Sequence, residues 1–341
     1  MQKSALVVRL SSLGDVVLAS SIPGALKNGI PGINITFVTK AQYVPVLKYN
    51  PFIDCLIGLE NSDLSPSGML RLISRLRRSE FDYVIDLHGN LRALIISGFA
   101  KSGMNVRVRK DGIRRRAFVH GLFRDSYRRE HAARTYLKTV AGILGQVPDL
   151  APEVYVGQDE MRSAVSFVGR IDGLKSPVIG VCPGARWPAK MWGQEKFGQL
   201  VRLITRELGG TAIVFLDEAG VVTPQGMAIE ENDRSVFAFR GELGVVAALL
   251  SLGNAVVTND SGLMHLSCAL GKHVVAIFGP TTPELGFSPL GDGHRIVSKG
   301  LACQPCSVHG EKKCRLGTLE CMESVSVDGV FHALKSVLGL S

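Results

Sequence analysis

Short runs rich in Val, Ile, Leu and Phe alternate with helical patterns along this 341-residue chain. That alternation constrains the fold more than any other feature. Parallel strands need long crossovers, and the crossovers are the helices, so the pattern implies parallel sheets covered on both faces. Strands are expected at 5–10, 34–39, 55–59, 83–87 and 105–109, with helices near 16–27, 41–49, 68–78, 91–100 and 131–144. A connection with two prolines follows at 146–158, and the alternation restarts at 177. Further strands are expected at 178–182, 211–216, 236–239, 255–258 and 273–278, and helices at 195–207, 243–252 and 262–270. The fold class is therefore α/β, two doubly wound Rossmann-like domains in tandem with a cleft between them. Ligands of such sheets bind beyond the carboxyl ends of the strands, so the residues after each strand carry the functional information.

The most apolar window, 245–257, is interrupted by Ser251, Gly253 and Asn254 and falls short of a membrane span. Arg9 and Asp15 break the apolar N-terminal run before a signal-peptide core can form, which leaves a cytoplasmic first strand as the expectation. The net charge is +9, and residues 101–138 hold twelve Lys and Arg against three Asp and Glu. Such a stretch is either a solvated basic helix and loop or a patch that attracts a phosphorylated substrate, an anionic membrane face or nucleic acid.

Three strand-end segments carry candidate chemistry. The first strand runs into Ser11-Ser12-Leu13-Gly14-Asp15. Gly14 permits a tight turn, and Asp15 sits where it can cap the next helix or serve as a general base. Cys182-Pro183-Gly184-Ala185-Arg186-Trp187-Pro188-Ala189-Lys190 has a small residue for close approach and two cations for a diphosphate, or is a turn with surface charge. Thr258-Asn259-Asp260-Ser261-Gly262-Leu263-Met264-His265 opens a helix. With Asp260 or Ser261 as its cap, its outward N–H groups suit an anion, and His265 falls on the first turn. Neither a Gly-x-Gly-x-x-Gly fingerprint nor a P-loop is present, which counts against a nucleotide-dependent oxidoreductase.

Four of the seven cysteines crowd together as Cys303-x2-Cys306-x7-Cys314-x6-Cys321, a spacing that suggests a metal site before disulfides. Four thiolates would make a closed, structural zinc site, with free thiols as the alternative. The same cluster and the basic charge leave a nucleic-acid-binding protein as another class. Aromatic residues are only 6% and the basic run lies far from the cysteines, so no nucleic-acid partner is expected.

The ordered set Ser12-Leu-Gly-Asp15, Asp86-Leu-His-Gly-Asn-Leu-Arg92, Pro183-Gly-Ala-Arg186 with Lys190-x-Trp192, Asp260-Ser-Gly-Leu-Met-His265 and Gly279-Pro-Thr281 resembles the ADP-heptose:lipopolysaccharide heptosyltransferases of glycosyltransferase family nine. Each segment is weak alone, and together they are specific. The resemblance implies a GT-B architecture: 1–157 an acceptor-binding domain, 158–318 a nucleotide-sugar-binding domain, and 319–341 a helical segment able to pack back on the first domain. It implies inverting, metal-independent transfer of heptose from an ADP-sugar to the inner core of lipopolysaccharide, with no cofactor for catalysis. Asp15 would be the base. Gly184, Arg186, Lys190, Glu218, Gly241, Asp260, Ser261, Gly262, His265 and Thr281 would bind the donor. Relatives carry a Gly-rich turn and an acidic residue after the strand at 211–216; this chain has Asp217-Glu218-Ala219-Gly220, so either carboxylate could meet the ribose. Gly14, Asn90, Arg92, Arg114, Arg115 and Arg116 would contact a phosphorylated, lipid A-linked oligosaccharide. The arginines would also hold the enzyme peripherally on the cytoplasmic face of the inner membrane. A family-nine-like enzyme using another nucleotide sugar or acceptor is the nearest alternative.

Overall fold

The computed structural model describes residues 2–122, 126–169, 174–217, 220–229, 234–310 and 313–340. It divides into two compact units, Met1–Asp111 with Glu130–Tyr155, and Gly112–Arg129 with Val156–Ser341.

The first unit contains β1 (Ser4–Val8), β2 (Asn34–Lys40), β3 (Cys55–Leu59), β4 (Phe81–Asp86) and β5 (Ser102–Arg107), all parallel, in the order β3-β2-β1-β4-β5. Ala5, Leu6, Val7 and Val8 of β1 are fully buried, as expected of a central strand covered on both faces. The chain builds outward from β1 to β3, then returns to lay β4 on the other side of β1. The gap between β1 and β4 is thus the topological switch point.

The helix expected over 16–27 is two, Leu13–Leu18 and Ser21–Gly29. Pro23 has no N–H to continue the ladder, and the chain steps through the break with short bonds from Ser20 to Val17 and Ile22 to Ala19. Pro45 likewise confines the expected helix at 41–49 to a 3-10 turn over Ala41–Val46.

The second unit holds β6 (Val178–Cys182), β7 (Thr211–Phe215), β8 (Val236–Phe239), β9 (Ala255–Asn259), β10 (His273–Ile277) and β11 (Arg295–Val297), parallel in the order β11-β10-β9-β6-β7-β8. Its switch point lies between β6 and β9. Helix Gln194–Glu207 buries Phe197, Leu200, Val201 and Ile204, one stripe at helical spacing, against the sheet.

Helix Val327–Val337 joins the second unit's own core through Val330, Phe331 and Leu334, beside Trp192, Val275 and Ile277. One expected boundary differs in the structure, at helix Gly112–Val119. Helix Gly112–Val119, carrying Arg114, Arg115 and Arg116, groups with the second unit and not with residues 1–157. Phe118 stacks on Tyr127 at 4.6 Å, both pack with Leu285, and the Arg129 N–H donates to the Glu284 carbonyl at 3.0 Å.

Candidate active site

At the first unit's switch point, β1 is followed by Arg9, a cation buried to 7% exposure. Its guanidinium joins the two strand-end loops. Nη2 pairs with Asp15 Oδ2 at 2.7 Å, and Nη1 donates to the Leu87 carbonyl beyond β4 at 2.5 Å. Asp15 also accepts from the Tyr136 hydroxyl on Oδ1 at 2.7 Å, and from the Ser12 hydroxyl and N–H on Oδ2 at 2.8 and 3.3 Å. Tyr136 comes from helix Ala132–Leu144, and its ring lies 5.3 Å from the Arg9 guanidinium carbon. Burial alone would raise the Asp15 pKa. Arg9, Tyr136 and Ser12 outweigh it and hold the carboxyl well below the usual range. Asp15 therefore closes the capping box of helix Leu13–Leu18, with Ser12 as the N-cap, and is held ionised.

The loop after β4 is built on a second buried carboxylate. Asp86 Oδ1 accepts from the N–H groups of His88 and Gly89 at 2.9 and 2.8 Å, while Oδ2 accepts from Arg107 Nε at 2.9 Å. Gly89 has φ +59°, and a Cβ there would stand 3.1 Å from Lys110 Cε. Asn90 caps helix Leu91–Phe99, its Oδ1 accepting from the Ala93 N–H at 2.9 Å, so that oxygen is committed to the fold. Arg92 is exposed on the first turn.

The second unit repeats the arrangement at the β6/β9 gap. Asn259 Nδ2 donates to the Pro183 carbonyl at 2.7 Å and its Oδ1 accepts from the Trp192 N–H at 3.2 Å, which ties the 183–192 loop to the end of β9. Lys190 Nζ pairs with Asp260 Oδ2 at 2.5 Å, and Thr281 Oγ1 donates to the same oxygen at 2.5 Å. Lys190 is fixed from behind as well. Gly310, at φ +83°, lies so close that a Cβ would fall 2.7 Å from Lys190 Cγ. Helix Gly262–Ala269 starts after Ser261, whose side chain makes no capping bond and instead meets Thr258 Oγ1 at 3.2 Å. The first turn of this helix thus keeps its partial positive charge beside Lys190's partner. His265 is buried, its ring centroid 6.3 Å from that of Phe287.

Gly184 follows β6, and Arg186 lies with its guanidinium carbon 5.3 Å from the Trp187 ring centroid. Gly241 is exposed beyond the edge strand β8, three strands from β9. Asp217 is engaged by its own turn, accepting from the Val222 and Val221 N–H groups at 2.6 and 3.1 Å. Glu218 lies outside the described residues. Arg9, Tyr136 and Asn259 were missed as site residues. Of these only Arg9 had a signal, a cation inside an otherwise apolar strand.

Cys303, Cys306, Cys314 and Cys321 line one hollow of about 20 Å³, with Ala189 and Pro280 in its wall. Burial, and then the neighbouring thiols, push Cys321 up to about 11. The thiol chemistry suits a soft cation, yet among the described residues no three Cys, His, Asp or Glu are grouped to hold a metal ion.

The sequence pattern of glycosyltransferase family 9 (heptosyltransferase) matches residues 69–317, well over half of the chain. The chain belongs to glycosyltransferase family 9. It is 28% identical over 310 residues to lipopolysaccharide heptosyltransferase 2 of Salmonella typhimurium, covering 86% of this chain and 87% of that one. Among solved structures it resembles a family 9 glycosyltransferase from Veillonella parvula, with TM-score 0.82 at 23% identity over 100% of this chain and 98% of that one. It also resembles the E. coli ADP-heptose LPS heptosyltransferase II, with TM-score 0.72 at 21% identity over 98% of each chain. The two doubly wound units are those of the GT-B glycosyltransferases, as the sequence implied.

Proposed function

We propose that this family 9 glycosyltransferase moves heptose from ADP-heptose to the phosphorylated, lipid A-linked inner core of lipopolysaccharide, with inversion at the anomeric carbon. The observation that carries the reading is that each unit has at its own switch point a group of opposite character. An ionised carboxylate, Asp15, stands at one switch point. A lysine and an uncapped helix N-terminus stand at the other.

In this reading the acceptor hydroxyl attacks the anomeric carbon, the new C–O bond forms as the bond to the ADP phosphate breaks, and the hydroxyl proton passes to Asp15. A carboxylate held at so low a pKa is a weak base toward a free alcohol. The hydroxyl becomes strongly acidic only as its oxygen bonds to carbon, so Asp15 takes the proton late. Charge grows on ADP at the same moment, and Lys190 together with the N–H groups of helix Gly262–Ala269 is suited to stabilise it. Gly184, Arg186, Ser261, His265 and Thr281 complete the proposed donor site, with Gly241 assigned to the adenine end. Gly14, Asn90 and Arg92 belong to the proposed acceptor side.

The basic helix supports peripheral attachment to the cytoplasmic face of an anionic membrane. Arg114 and Arg116 are exposed beside Ile113 and Leu122, which are 87% and 57% exposed, so charge and apolar surface occur together. Among the described residues no helix is long and apolar enough to cross a membrane. The four-cysteine hollow is proposed to close around a structural zinc ion, with Cys303, Cys306, Cys314 and Cys321 as ligands.

The test is incubation with ADP-heptose and inner-core acceptors of graded length, following ADP release and acceptor mass. A gain of one heptose on a single acceptor is expected. Tight ADP binding without transfer to any inner-core acceptor would point to another sugar or acceptor.

A further inference from the structure

The His88 imidazole has no part in the site described so far, yet the fold places it near enough to Asp15 for their charges to interact. It follows β4 directly, next to Leu87, whose carbonyl accepts from the guanidinium that also holds Asp15. The loop is rigid before any ligand arrives, because the buried Asp86 carboxylate fixes the His88 and Gly89 N–H groups. Nδ1 of the imidazole is buried and has no hydrogen-bond partner among the described residues. A buried polar atom without a partner is rare, and at a switch point it is suited to a ligand's hydroxyl.

We infer that His88 is an acceptor-binding residue, its Nδ1 hydrogen-bonding a sugar hydroxyl of the acceptor next to the one Asp15 deprotonates. This deepens the heptosyl-transfer reading and rests on it. Burial first, and then the nearby charges of Arg9 and Lys110, bring His88 down to about 4 against the opposing pull of Asp15 and Asp86. The ring is therefore neutral through the physiological range and offers one donor and one acceptor, as a sugar hydroxyl requires. A charged imidazole would instead select a phosphate or carboxylate.

Three variants test this with ADP-heptose saturating and the inner-core acceptor varied. His88→Leu should lower kcat/KM for the acceptor at least tenfold, with ADP affinity and melting temperature unchanged. His88→Asn sets an amide where Nδ1 stands and should recover most of that loss, whereas His88→Gln, which reaches to the Nε2 position, should not. The wild-type kcat/KM should show no titration of His88 between pH 5.5 and 8, a window set by the value of about 4. Unchanged acceptor kinetics in His88→Leu would overturn the inference and leave the function standing. A parallel fall in ADP binding and melting temperature would make His88 structural and overturn it too. If the wild type transfers heptose to none of the acceptors, the proposed function falls first and the inference with it.

Discussion

Replacing Asp15 with Asn tests the first unit's site most directly, because it removes one charge and little else. Arg9 would stay buried at 7% exposure with its ionic partner gone, keeping the Leu87 carbonyl and the Tyr136 ring. Breaking a buried pair from one side costs about 3–5 kcal/mol, because the remaining charge is left without compensation. At about 2.1 cal/mol/K of unfolding entropy per residue, a chain of this size shifts by about 1.4 °C per kcal/mol, so the melting temperature should fall by roughly 4–7 °C. Turnover should fall by about 10²–10⁴, the usual contribution of a general base. The double variant Arg9→Met with Asp15→Asn should recover most of the melting temperature and none of the turnover, since it removes the stranded cation but not the need for a base. The pH dependence has a definite sign. A carboxyl held below its unfolded value stabilises fully above about pH 4 and loses that contribution only as pH falls toward its folded value. The gap between wild type and Asp15→Asn, followed by circular dichroism, should therefore stay constant from neutral pH to about 5 and narrow only in strong acid. An Asp15→Asn protein melting within a degree or so of wild type, or a double variant no more stable than the single, would refute the reasoning.

Lys190→Ala should weaken ADP binding by about 10- to 150-fold, the range for losing a hydrogen bond to a charged group, as measured by calorimetric titration. Gly310→Ala should also weaken ADP binding with acceptor KM little changed, because a Cβ at φ +83° meets the Lys190 stem; unaltered affinity would mean the stem yields freely. Sedimentation with anionic liposomes should show binding that raised salt removes and that replacing Arg114, Arg115 and Arg116 with Gln weakens, at about 1 kcal/mol per charge. Native mass spectrometry should find one zinc ion per chain and protected thiols; no bound metal with four freely reactive cysteines would reject the zinc site.

Much of this molecule is written in local pattern. Fully buried strands such as Val178–Cys182 and Ala255–Asn259 announce themselves as short apolar runs, and the stripe Phe197, Leu200, Val201 and Ile204 announces a helix. Since ligand sites of parallel sheets lie just beyond the strands, the same pattern singled out Asp15, Lys190 and Asp260. What the sequence could not supply was partnership between distant residues. Nothing local links Tyr136 to Asp15 across 121 positions, and nothing marks Gly310 as the backing of Lys190. Nor did charge alone show that helix Gly112–Val119 belongs with the second unit. That was decided by Phe118, Tyr127 and Leu285 finding one another. Periodicity is a property of neighbours in the chain and so survives in one dimension, whereas an ion pair or an aromatic cluster exists only once tertiary packing has brought its members within a few ångströms.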